Sequence, residues 1–103
     1  MTLRIIWRVP ARDDLLELYD WIARHAGSET AYEYTAAIEA YAAKPAGLPE
    51  RGAPRDELAP GIRTIAYRRR TTIAYRILPD AIEVVRLAHG GRDLGRVFDE
   101  DAE

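Results

Sequence analysis

The stretch LAHGGRDL, Leu87 to Leu94, sets a histidine, two glycines, an arginine and an aspartate side by side where an apolar run stops. Histidine titrates near neutrality, so His89 is the candidate general acid or base in the second half of the chain. No partner base is identifiable beside it, and the residue reads first as a strand-end cap bonded to a backbone carbonyl, second as a proton carrier. Gly90 and Gly91 let the chain turn through positive φ and so display Arg92 from a sheet edge. Asp93 is placed to pair with a nearby arginine. No GxxxxGK[ST] pattern accompanies the glycines, which excludes a phosphate loop of that type. A second cluster is Arg68, Arg69 and Arg70, flanked on neighbouring segments by Arg63, Arg76 and Arg86. These six could form a cationic surface for an anionic partner, but residues an odd number apart on one strand point to opposite faces. Tyr67 and Tyr75, at strand spacing, serve as half-buried core or as stacking platforms. His25 and His89 are far apart and lack metal-ligand spacing, so no metal and no cofactor is expected.

Something must hold these groups in place, and the chain has 103 residues to do it, enough for one core. Its composition, 48% hydrophobic and 31% charged, is that of a globular domain. Cysteine is absent, which removes disulfides and thiolate metal sites. No membrane-length apolar run or signal-peptide pattern occurs, so a cytoplasmic protein without membrane contact is expected. The net charge of −2 conceals an asymmetry: residues 1–50 carry five basic and eight acidic side chains, residues 51–96 ten and five, residues 97–103 none and four. A basic second half points to nucleic acid or an acidic protein segment.

The positioning elements follow from periodicity. Leu3, Ile5, Trp7 and Val9 alternate with polar residues as in a half-buried strand that Pro10 closes. Leu15, Leu18, Tyr19 and Ile22 then recur at helical spacing, and Gly27 ends that helix. Ser28 is placed as N-cap of a second helix carrying Ala31, Tyr34, Ile38, Tyr41 and Ala42, giving an antiparallel hairpin. From Lys44 to Gly61, four prolines break helical periodicity, which predicts a functional loop or an ordered strap on a sheet. Strands are expected at 62–67, 71–78 and 82–88, with Arg68, Arg69 and Arg70 as a hairpin tip. The order predicts an α+β fold in which the helical hairpin covers a small, mainly antiparallel sheet, in one domain over residues 1–98 with an acidic tail at 99–103.

Four stretches in this order, PARDDLLELYDWIA, LPERGAPRDELAPGIR, IAYRI and VVRLAHGGRDL, resemble the RelE/ParE superfamily of bacterial type II toxins, more like its ParE branch. The resemblance implies a small toxin neutralised by a cognate ParD-like antitoxin in a hetero-oligomer. It implies DNA gyrase as target for the ParE branch, and the ribosome and its mRNA for RelE-like endoribonucleases.

RNA cleavage needs a base for the 2′-hydroxyl, cations for the charged phosphorane and an acid for the leaving oxygen. Laid on a RelE-type site, the chain keeps cations at Arg63 and Arg92. Ile65 and Thr72 stand where others would be, and Phe98 replaces a tyrosine with a ring that has no proton to give. His89 is the remaining acid/base candidate, since some relatives use a C-terminal histidine. The expected activity is therefore gyrase inhibition by binding, with the ribonuclease as alternative and Arg92 as a displayed contact. The first helix offers a second surface, because Leu15, Leu16, Leu18, Tyr19, Trp21 and Ile22 exceed what one face buries. Leu16 and Trp21 are placed off the core stripe, where an antitoxin helix, a homodimer contact or a broad core face could use Leu15, Leu16, Tyr19 and Trp21.

Overall fold

The computed structural model describes residues 3–90 and 94–101. Strand β1, Arg4–Trp7, leads into helix α1, Val9–Ala26, and helix α2, Ser28–Ala42. Val9, expected in the strand, already belongs to the helix, and Pro10 occupies its first turn, where its missing N–H costs nothing. The two helices are joined by Gly27 alone. Its φ of +97° is open to glycine and strained for other residues, so it both ends α1 and caps α2. Ser28, expected as the cap, is the first residue of α2 and makes no capping hydrogen bond.

Two short 3₁₀ turns, Lys44–Ala46 and Pro49–Arg51, follow, then strand β2, Ala53–Pro54. The proline-rich segment is thus an ordered strap, and Pro54 sits on an edge strand, where a missing donor is tolerated. Strands β3, Ile62–Tyr67, β4, Thr71–Ile77, and β5, Ala81–His89, complete a five-stranded sheet in the order β1-β5-β4-β3-β2. All neighbours are antiparallel except β1 and β5, which pair parallel from Arg4↔Ala81 to Trp7↔Val84. The α+β architecture read from the sequence is the one observed, with the parallel pair and β2 as additions.

One face of the sheet, through Ile65, Ile73, Tyr75, Ile82, Val84 and Leu87, packs on Ala11, Leu15, Leu18 and Ile22 of α1 and Ala31, Ile38 and Ala42 of α2. The other face, through Ile62, Ala74, Val85 and Ala88, is covered by Leu94 and Phe98 with Leu58 and Ala59 at its border. Leu94 and Phe98 belong to helix α3, Leu94–Asp101, which runs past residue 98 into the segment expected to be a tail. Between β4 and β5, Ala74 pairs with Arg86 and Tyr75 with Val84, so Val85 of β5 is an extra residue, a β-bulge. The bulge lets Val84 and Leu87, three apart, both reach the helical side, which strict alternation would forbid.

Candidate functional site

β1 stops pairing at Val84, so the outer edge of β5 beyond it has no strand neighbour. Asp14 of α1 fills that place. Its Oδ2 accepts the Leu87 backbone N–H at 2.9 Å and the Arg86 Nε–H at 2.8 Å, and its Oδ1 accepts from Arg86 Nη2 at 3.0 Å. Both side chains are more than nine-tenths buried, and Arg86 Nη1 reaches the Val97 carbonyl of α3 at 3.4 Å. One guanidinium therefore ties together α1, β5 and α3. This overturns the expectation that Arg86 belongs to an exposed cationic surface: past the bulge it shares the face of its cross-strand neighbour Ala74, which α3 covers, and a buried charge must find its counter-ion.

Beside this pair lies a cleft of about 310 Å³, lined by Asp14, Glu17, Leu18, Trp21, Thr71, Leu87 and His89. His89 is half-buried, and its Nδ1 lies 2.8 Å from Thr71 Oγ1, which in turn lies 3.3 Å from the Tyr34 hydroxyl. The histidine is thus anchored by a side-chain hydroxyl rather than the carbonyl expected. Burial, and then the charge of nearby Arg70, push its pKa below the usual imidazole value, which favours the neutral ring. Tyr34 meets His89 edge-on at 5.9 Å and Tyr67 edge-on at 5.7 Å, so the network is packed as well as bonded.

The remaining sequence-predicted residues are scattered. Arg63 donates through Nη1 to the Gly52 carbonyl at 2.6 Å and the Glu50 carbonyl at 3.2 Å, fastening the strap to β3. Tyr75, fully buried, completes that fastening: its hydroxyl donates to the Pro49 carbonyl at 2.7 Å and accepts from the Gly52 N–H at 2.8 Å. Burial raises its pKa, and the phenol stays protonated. A Cβ on Gly52 would fall 2.7 Å from that hydroxyl and 2.9 Å from the Thr64 carbonyl, so the close approach requires glycine. Arg63 shares the helical side with its cross-strand neighbour Tyr75, whereas Arg76 points to the opposite side and leans on Glu83 at 3.8 Å. The six arginines do not form one surface. Arg68, Arg69 and Arg70 are exposed at the β3–β4 tip, as expected. Arg92, with Gly91 and Asp93, lies outside the described residues.

On α1, Leu15 belongs to the core stripe with Ala11, Leu18 and Ile22, and it also lines the groove that α1 forms with α2. Leu16 is 61% exposed and Trp21 51%, as their off-stripe positions predicted. Tyr19 is half-buried and, with Arg12, Leu16, Thr35 and Glu39, borders a groove of about 240 Å³ between α1 and α2. His25 stacks on Trp21 at 4.1 Å and bonds its carbonyl through Nδ1. Among the described residues no cluster of three potential metal ligands occurs, and no helix is long and apolar enough to cross a membrane. Ile65 and Phe98, at positions where a cation and a tyrosine would serve RNA cleavage, are both buried in apolar clusters.

Sequence reasoning missed the Asp14–Arg86 pair, although it left a signal. Asp14 falls on the apolar stripe of α1, and Arg86 interrupts the apolar run of β5, two opposite charges at core positions.

A helical hairpin over a five-stranded sheet with a strapped edge defines a small α+β fold shared with solved toxin–antitoxin structures. The chromosomal ParDE system from P. aeruginosa matches at a TM-score of 0.75 and 23% identity, over 86% of this chain and 97% of that one. The RelBE2 toxin–antitoxin complex from Mycobacterium tuberculosis matches at 0.65 and 22%, over 89% and 95%. No curated protein matches the sequence. The family model for the ParE toxin of type II toxin-antitoxin systems, parDE, matches residues 5–94, and the chain belongs to that family.

Proposed function

We propose that this ParE-family toxin inhibits DNA gyrase by binding, without catalytic residues of its own, and is neutralised by a ParD-like antitoxin. The observation that carries the reading is the sign of the cleft around His89. Among the described residues its charged lining is Asp14, already paired with Arg86, and Glu17, and the cation whose charge reaches His89 is Arg70, where stabilising a phosphorane would demand several cations aimed into the cleft. Arg63 and Arg86 are committed to carbonyls and to Asp14, and the His89 Nδ1 is committed to Thr71. A neutral histidine fixed by a hydroxyl, with no carboxylate among the described residues bonded to it, is a packing element first. Family membership supports the same reading.

The groove between α1 and α2 suits the antitoxin. Exposed Leu16 and half-buried Tyr19 give an apolar floor, and Arg12 and Glu39 give charged rims of opposite sign, the pattern that an amphipathic helix can match. Inducing the toxin alone in bacteria tests the reading: DNA synthesis should stop while mRNA stays intact, and purified protein should inhibit gyrase supercoiling. Ribosome-dependent mRNA cleavage with unimpaired supercoiling would replace it with the endoribonuclease.

A further inference from the structure

The β3–β4 tip is built at a cost that its sequence could have avoided. Arg68 and Arg69 have φ of +54° and +59°, and the Arg70 N–H closes the turn on the Tyr67 carbonyl at 3.0 Å. Positive φ at both central positions is the type I′ signature, for which asparagine and glycine are suited and arginine is not. A strained residue that a cheaper one could replace points to use of its side chain. The tip is also held firmly: Gly90 donates its N–H to the Arg70 carbonyl at 2.7 Å, and the Arg68 guanidinium lies 5.3 Å from the Tyr67 ring centre. Among the described residues, none of the three arginines forms an ion pair. Three guanidinium groups without an ion-pair partner among the described residues therefore stand on consecutive residues of a hydrogen-bonded, exposed turn.

We infer that this arginine tip docks on the phosphate backbone of duplex DNA. Consecutive residues of a tight turn send their side chains in diverging directions. That fan suits phosphates on the two sides of a groove better than the single line of carboxylates presented by a peptide strand or helix. Guanidinium forks match phosphate oxygens in pairs. The chain as a whole carries −2, so attraction must be local, which a Debye length of about 10 Å at 0.1 M salt permits. The surface lies beyond the gyrase reading and is tested apart from it, because DNA is presented without gyrase.

The test is fluorescence anisotropy of a labelled duplex of about 20 base pairs titrated with the whole protein across a salt series. Three phosphate contacts predict a slope of log K against log salt of about −2.7, a weakening of about 40-fold between about 50 and 200 mM. Arg68→Asn with Arg69→Gly should reduce the slope to about −0.9 while raising the melting temperature, because it relieves the turn as it removes two contacts. Arg68→Gln with Arg69→Gln, which keeps the strain, should lose the same slope. Absence of salt-dependent binding by the wild type, or an unchanged slope in either variant, overturns the inference. Equal displacement of the DNA by a glutamate homopeptide of matched charge would also overturn it, assigning the tip to an acidic protein partner.

Discussion

Asp14→Asn isolates the buried ion pair that joins α1, β5 and α3. Asparagine keeps the shape and one carbonyl acceptor, so the Leu87 N–H can stay satisfied, but buried Arg86 loses the negative charge that Asp14 sets against it. Removing one partner of such a pair costs about 3–5 kcal/mol. A domain of this size has about 5–15 kcal/mol in all, so the variant should remain folded yet lose a large fraction of its margin. With a urea slope of about 1.5 kcal/mol/M, a loss of about 4 kcal/mol lowers the unfolding midpoint by about 2.7 M. Tryptophan fluorescence, from Trp7 half-buried against the helical core and Trp21 half exposed, should follow the transition. Asp14→Leu combined with Arg86→Met should recover part of the loss, since an apolar pair of similar volume removes the buried charges, while the Leu87 N–H loses its acceptor. A midpoint shift of less than about 0.7 M for Asp14→Asn, roughly 1 kcal/mol by the same slope, would refute the reasoning. The pair would then be worth no more than an exposed one.

Tyr75→Phe should cost about 1–3 kcal/mol in urea unfolding, because it strands the Gly52 N–H and the Pro49 carbonyl, and proteolysis should first cut within 44–61. The lowered pKa of His89 means that the unfolded chain binds its proton more readily than the folded one. Its contribution is therefore complete above the unfolded value of about 6.5 and is lost as pH falls through the folded value. Between about pH 7 and pH 5, wild type should lose more stability than His89→Gln, measured by paired melting curves. Leu16→Asp, at an exposed position, should change stability by less than about 0.5 kcal/mol while weakening antitoxin binding at least tenfold by calorimetry; equal affinity would move the antitoxin off the α1–α2 groove.

What the sequence determined on its own is what backbone geometry repeats locally. Alternation marked β1, the helical stripe of Leu15, Leu18 and Ile22 marked α1, the stripe of Ala31, Ile38 and Ala42 marked α2, and Gly27 marked the turn between them. The three closing strands and their arginine tip were equally legible, because hairpins pair residues that are neighbours in the chain. The four matching stretches carried the family in the same way, since order and spacing survive without coordinates. Helix α3 was available in the spacing of Leu94, Val97 and Phe98, but a single apolar turn near a chain end does not by itself say which surface it buries.

Only the tertiary structure decided which distant residues meet. The parallel pairing of β1 with β5 joins residues far apart in the chain, and it is its early end at Val84 that opens an edge for Asp14. The bulge at Val85 then reverses the alternation, so Arg86 lies on the face that α3 covers rather than with Ile82 and Val84, and it is buried there against the Asp14 carboxylate instead of joining a cationic surface. Periodicity fixes the direction of a side chain only within its own element. A single inserted residue, or a neighbour supplied by chain closure, resets that direction, and with it the choice between a charge that binds a partner and one that holds the fold.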